Sequence, residues 1–257
     1  SRLSCSILVP VQSVPPAVTI SNAMVRVVIV SDTHCRHGRF DIPDGDVFIH
    51  CGDMTNRGSA PELREVNDWL AGLPHKHRVV ICGNMDQRIE NVASLEGRRR
   101  FLSNAIYLED EAVELEGLKL YGSPFTPKFC GAWQLSSETE AAEKWSSIPD
   151  GLDILITHGP PLNIFDGVGG GHHAGCAALQ RRVSSARPRY HLFGHIHEEG
   201  GQKCEMDGTI FINAAQHVMV IDVEPLPPGD EIKTSSRKRA VTVVEGVERE
   251  EEEEQPG

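Results

Sequence analysis

Short apolar runs that stop abruptly at glycine, aspartate or proline recur along this sequence, and they constrain its fold more than any other feature. They are Val25–Val30, Val47–His50, Val79–Cys82, Leu118–Tyr121, Ile154–Thr157, Tyr190–Phe193, Thr209–Ile212 and Val218–Val223. Runs of this length, rich in β-branched residues and bounded by turn formers, read as buried strands. Helical patterns lie between some of them. Ser59 caps one, with Glu62 placed to reach back to it, and Leu63, Val66 and Leu70 then share a face. Others are expected over Ser137 to Trp145 and Cys176 to Val183. The pattern predicts an α/β fold, a four-layer αββα sandwich of two mixed sheets flanked by helices.

Five of these strands run directly into polar clusters. Val25–Val30 leads into Ser31-Asp32-Thr33-His34, and Val47–His50 into Cys51-Gly52-Asp53. Val79–Cys82 leads into Gly83-Asn84-Met85-Asp86, Ile154–Thr157 into His158-Gly159-Pro160-Pro161, and Tyr190–Phe193 into Gly194-His195-Ile196-His197. Ligands of α/β sheets bind beyond the carboxyl ends of strands, so five such ends can converge on one crevice. The glycines Gly52, Gly83, Gly159 and Gly194 are expected to let the backbone turn tightly there.

The residue types in those loops are carboxylate, amide and imidazole. Asp32 and His34 are one residue apart, as are His195 and His197, so each pair can lean to one side; Asp53, Asn84 and His158 complete the set. No cysteine enters the set of donors. Mixed nitrogen and oxygen ligands suit Mn, Fe or Zn rather than a thiolate-bound structural zinc. Seven donors exceed the need of one ion. With Asp53 as a bridge, four remain for each of two divalent ions, the arrangement that polarises a phosphoryl oxygen and activates hydroxide for attack on phosphorus. A lone D-x-H or G-x-H is a weak signal, but five loops in series, each after a strand, supply the context that makes a motif specific.

Composition narrows the function. The chain has 257 residues and a formal net charge of −12, which disfavours an electropositive face for duplex nucleic acid. Seven cysteines include no CxxC pair, and the expectation is reduced thiols in a cytoplasmic protein, Cys51 and Cys82 among them buried. No apolar run is long enough for a transmembrane helix, so no membrane partner is expected. Residues 1–23 read as a disordered arm and 24–223 as one folded domain. Residues 224–257, with Pro225, Pro227 and Pro228 followed by a run of glutamates, read as a disordered acidic tail.

The order D-x-H, G-D, G-N, T-H-G and G-H-x-H resembles that of the calcineurin-like metallophosphoesterase superfamily. A closer resemblance, to the metallophosphoesterase-domain-containing (MPPED) proteins, rests on Val30-Ser31-Asp32-Thr33-His34, Phe48-Ile49-His50-Cys51-Gly52-Asp53, Asn67-Asp68-Trp69-Leu70, Leu102 to Leu108, Thr157 to Pro161 and Gly194 to Glu198. It covers roughly residues 25–222. The resemblance implies one metal held by Asp32, His34, bridging Asp53 and His197, and a second held by Asp53, Asn84, His158 and His195. It implies catalytic roles for Asp53, Asn84 and His158, two divalent ions with Mn the first choice, and hydrolysis of phosphodiesters. A small phosphoester, with cyclic nucleotides as the substrate class, is the implied partner.

One position departs from the family pattern. Its usual third loop is G-N-H-[ED], whose His contacts phosphate and can protonate the leaving group; here that position is Met85. His172 and His173 are the nearest alternatives as proton donors, although exposed loop histidines are more often idle. Met85 also keeps open a second reading, a catalytically weak scaffold that retains metal or nucleotide. Gly167–Gly171 lacks the preceding strand of a dinucleotide loop and reads as a flexible loop. His50, His75 and His77 read as structural or surface residues, and Trp69 as core.

Overall fold

The computed structural model describes residues 24–226. The expected N-terminal arm and all but the first three residues of the expected tail lie outside the described residues. In chain order the strands are β1 (Val25–Val30), β2 (Val47–His50), β3 (His77–Val80), β4 (Ile106–Tyr107), β5 (Glu111–Leu115), β6 (Leu118–Ser123), β7 (Thr126–Pro127), β8 (Gln134–Leu135), β9 (Ile154–Thr157), β10 (Gly167–Val168), β11 (His172–His173), β12 (Tyr190–Phe193), β13 (Lys203–Met206), β14 (Thr209–Asn213) and β15 (Met219–Val223). The helices are α1 (Ala60–Gly72), α2 (Gln87–Glu90), α3 (Leu95–Phe101), α4 (Glu138–Trp145) and α5 (Ala177–Ala186).

Two sheets carry the fold. The first has the order β15-β1-β2-β3-β4, parallel except for β15, which pairs antiparallel with β1. The second has the order β13-β14-β12-β9-β6-β5, with a parallel centre and antiparallel strands β13 and β5 at its edges. The side chains explain the stacking. Val27, Ile29 and Ile49 of the first sheet pack against Leu120, Ile154, Ile156 and Leu192 of the second. The alternate residues Val28, Val30 and Phe48 face Leu63, Val66 and Leu70 of α1. Leu155, Phe193 and Phe211 face Ala141 and Trp145 of α4 and Leu179 and Val183 of α5. Strands buried on both faces read as unbroken apolar runs, and the layers are helix, sheet, sheet, helix.

The three expected helices form, the first with its expected cap. Ser59 and Glu62 make a complete capping box at α1, and Ser137 and Cys176 cap α4 and α5. The third strand lies earlier than expected: its ladder ends at Val80, and Ile81 and Cys82 are buried beyond it. Gly167–Gly171 is more structured than expected, since Gly167 and Val168 pair with His173 and His172 in a small hairpin. Trp69 is only partly buried, stacked on His37 at 4.8 Å and edge-on to Phe48 at 5.5 Å.

Candidate metal centre

The parallel strands deliver their carboxyl ends to one rim of the sandwich. From the first sheet, β1 leads to Asp32 and His34, β2 to Asp53, and β3, through Ile81 and Cys82, to Asn84. From the second, β9 leads to His158 and β12 to His195 and His197. All seven side chains meet there. Donor atoms of Asp32, His34 and His197 gather within 4.8 Å of one another, and so do those of Asp53, His158 and His195. His197 Nε2 lies 3.1 Å from Asp32 Oδ1 and 3.3 Å from His34 Nε2. His158 Nε2 lies 3.0 Å from Asn84 Oδ1. Asp53 spans the two groups, with Oδ2 4.0 Å from His34 Nε2 and Oδ1 3.4 Å from His158 Nε2.

The backbone is strained where these donors are presented. Asp32 (φ 58°), His34 (φ 45°), Asp53 (φ 53°) and His195 (φ 71°) all adopt the left-handed region, which costs a side-chain-bearing residue about 1 kcal/mol or more. Such conformations concentrate at functional sites. Of the four loop glycines, only Gly52 has a positive φ. Gly194 is needed for room instead: a Cβ there would lie 2.2 Å from Asp32 Oδ2 and 2.1 Å from Ser31 Oγ. The tight turns thus fall largely on the donor residues rather than on the glycines beside them.

The hydrogen bonds behind the donors fix their tautomers. His158 Nδ1 donates to the Cys51 carbonyl at 2.9 Å and His34 Nδ1 to the Thr55 carbonyl at 3.3 Å. Each ring therefore turns Nε2 toward other acceptors, and converging lone pairs of nitrogen and carboxylate oxygen fit a cation between them. The buried carboxylates favour positive charge at the centre. Burial alone would lower the His158 pKa, but the Asp53 carboxylate, with Asp32 behind it, pushes it up to about 9. Burial would raise that of Asp32, yet the hydrogen bond from His197 and the charge of His158 hold it well below the usual carboxylate range. Burial, reinforced by His158, pulls His195 down to about 4. The donor set, with no thiolate in it, fits a pair of divalent ions.

Further residues shape the site, and two of them, Asp86 and Cys130, were not assigned a role from sequence. Asp86 is fully buried and accepts hydrogen bonds from Gly83 N (2.9 Å), Thr55 N (3.0 Å) and Thr55 Oγ1 (2.8 Å), pinning the Asp53 and Asn84 loops together. Burial and the charge of Asp53 push its pKa up to about 7, against those donors. Its place in Gly83-Asn84-Met85-Asp86 was the available signal. His50 is structural: held neutral by burial, which pulls it down to about 3, it bonds Thr33 Oγ1 at 3.0 Å and accepts from Gly52 N at 3.2 Å. Cys130 Sγ accepts from Asn84 Nδ2 at 3.5 Å, which turns the amide oxygen toward His158. Met85 contributes its backbone, donating N–H to Asp53 Oδ1 at 2.7 Å. His172 and His173 stand exposed on β11, His173 bonded to the buried Asp166 at 2.7 Å.

The comparisons with known proteins agree with this geometry. The family model described as calcineurin-like phosphoesterase matches residues 25–199. Metallophosphoesterase domain-containing protein 1 of Homo sapiens is 39% identical over 237 residues, covering 79% of this chain and 69% of its own length. UPF0046 protein K07C11.7 of Caenorhabditis elegans is 35% identical over 214 residues, covering 79% of this chain and 72% of its own. One solved structure aligns over 87% of this chain and 100% of its own with a TM-score of 0.57 and 13% identity, a likeness of fold. With its model spanning most of the described domain, the chain belongs to the calcineurin-like phosphoesterases, a family of metal-dependent phosphoester hydrolases, and within it is related to metallophosphoesterase domain-containing protein 1.

Proposed function

We propose that the chain is a phosphodiesterase acting on small phosphodiesters, cyclic nucleotides among them, at a dinuclear centre. Asp32, His34 and His197 would hold one ion, Asn84, His158 and His195 the other, and Asp53 would serve both. The observation that carries this reading is the pair of donor clusters joined through the two oxygens of Asp53. Two bound divalent ions, Mn first and Fe or Zn as alternatives, supply Lewis acidity toward phosphoryl oxygens and a nucleophile from water near neutral pH. The chain's own residues do the rest. Thr55 and Cys51 carbonyls orient His34 and His158, the Met85 N–H holds Asp53, and Cys130 orients Asn84. The Met85 thioether has no proton to give a leaving group, which favours esters whose leaving group departs unaided. A cytoplasmic setting belongs to this reading, supported by the six described cysteines, all free thiols.

The test is turnover of the Mn²⁺-loaded protein on bis(p-nitrophenyl) phosphate, p-nitrophenyl phosphate and cyclic nucleotides. Faster hydrolysis of the diester than of the monoester is expected; a clear preference for the monoester sinks the assignment. Met85 favours one other reading, a metal- or nucleotide-binding scaffold. Two ions per chain with no turnover on any of these esters would select it.

A further inference from the structure

Among the large apolar side chains described, Phe129 is the most exposed, with 75% of its surface in solvent. A single exposed phenyl ring is ordinary on a protein surface. This one is set apart by its position and its anchoring. Its ring lies perpendicular to that of His195, a candidate ligand, with centroids 5.9 Å apart. The next two residues of its loop touch a second candidate ligand. Cys130 bonds the Asn84 side chain, and Gly131, at φ +79°, lies so close that a Cβ would sit 2.0 Å from the Asn84 carbonyl oxygen. The loop is fixed from behind as well. The Phe129 N–H donates to the Gln134 side-chain carbonyl, and the Gln134 amide donates to Thr126 Oγ1 at 3.1 Å and to the Ala132 carbonyl at 2.8 Å. The ring is thus held at the edge of the metal centre by a braced turn, with most of its surface left open.

We propose that Phe129 is a stacking platform for a planar aromatic substituent of the phosphoester, a nucleobase or an aryl group, while the phosphorus occupies the metal centre. The proposal rests on the phosphodiesterase reading and adds to it a residue that selects the substrate. An aromatic ring is a sequence-tolerant partner for any base or aryl face, and stacking of this kind typically changes affinity by roughly 10-fold or more. Without an aromatic ring at position 129 the preference for aromatic over aliphatic esters is expected to disappear.

The experiment compares two ligands with one head group. Phenylphosphonate and methylphosphonate are titrated into the Mn²⁺-loaded full chain by calorimetry, alongside turnover of bis(p-nitrophenyl) phosphate. The wild-type protein is expected to prefer the phenyl ligand by roughly 10-fold. Phe129→Ala should abolish that preference while leaving the Kd for methylphosphonate within about two-fold, and Phe129→Trp should keep it. A preference that survives Phe129→Ala, or equal weakening of both ligands, overturns the proposal. Turnover without a Phe129-dependent preference sinks this inference alone. A Phe129-dependent preference without turnover upholds the platform and sinks the phosphodiesterase reading. Absence of both binding and turnover overturns the two together.

Discussion

The two carboxylate oxygens of Asp53 face different imidazoles, so its removal touches both halves of the centre. Asp53→Ala is expected to empty the centre and lower turnover by about 10³-fold or more, the scale on which a lost electrostatic element acts. Asn84→Ala should cost mainly the second ion. Elemental analysis decides: two ions per chain in Asp53→Ala would refute the bridging assignment. Met85 bears on the leaving group. Met85→His restores a group able to donate a proton, and it should raise turnover of alkyl phosphodiesters by roughly 10²-fold and of aryl ones far less. Equal gains on both, or none, would show that the position does not serve the leaving group. Away from the centre, His191 is fully buried, and burial pulls its pKa down to about 3 while it bonds Thr157 Oγ1 at 2.8 Å. The folded state therefore binds fewer protons than the unfolded one below pH ~6.5, and stability falls as pH drops through that point toward 3. His191→Gln should reduce the stability lost between pH 6.5 and 5 by roughly 2 kcal/mol, read by urea unfolding at both pH values. An unchanged loss would mean that this histidine takes up its proton without unfolding.

Where strand ends meet, the fit between elements matters more than any one donor. Gly194 closes β12 against the end of β1 with no space for a methyl group between it and Asp32. Gly194→Ala should displace the Asp32 carboxylate, and a misplacement of about 1 Å can cost on the order of 10²-fold in rate. Metal content below two ions per chain should accompany the loss; full occupancy with wild-type turnover would show that the strand ends yield. The central strands were legible because both their faces are buried and their apolar runs unbroken. The capped helices were legible because Ser59, Ser137 and the spacing of Leu63, Val66 and Leu70 are local signals. The edges were not. Strand β5, Glu-Ala-Val-Glu-Leu, carries no fully buried residue, and α3 buries none either, so neither offers an apolar pattern to read. Strand β4 has only two residues. The donor loops were visible as motifs, whereas the Phe129 turn was not. Its position depends on Gln134 and on a close approach to Asn84, contacts that no spacing along the chain announces.

At the scale of the whole molecule, the candidate donors divide between the sheets. The first sheet supplies Asp32, His34, Asp53 and Asn84, and the second His158, His195 and His197. Ions bound there stabilise only the assembled sandwich, so their removal should appear as lost global stability. At free metal about 100-fold above Kd, a bound ion contributes about 2.7 kcal/mol. For a domain of this size that corresponds to a melting temperature lower by about 5–10 °C in chelator than in Mn²⁺, measured by calorimetry. Equal melting temperatures would argue against ions at this junction. The same division has a consequence for the order of events during synthesis. Asp32 and His197, paired at 3.1 Å, are 165 residues apart, and no short segment holds a complete set of donors. A chain emerging amino end first cannot complete the proposed donor set for the second ion before His195, or for the first before His197, has been made and the second sheet has docked. Full coordination of either ion is then a late event in maturation rather than its nucleus.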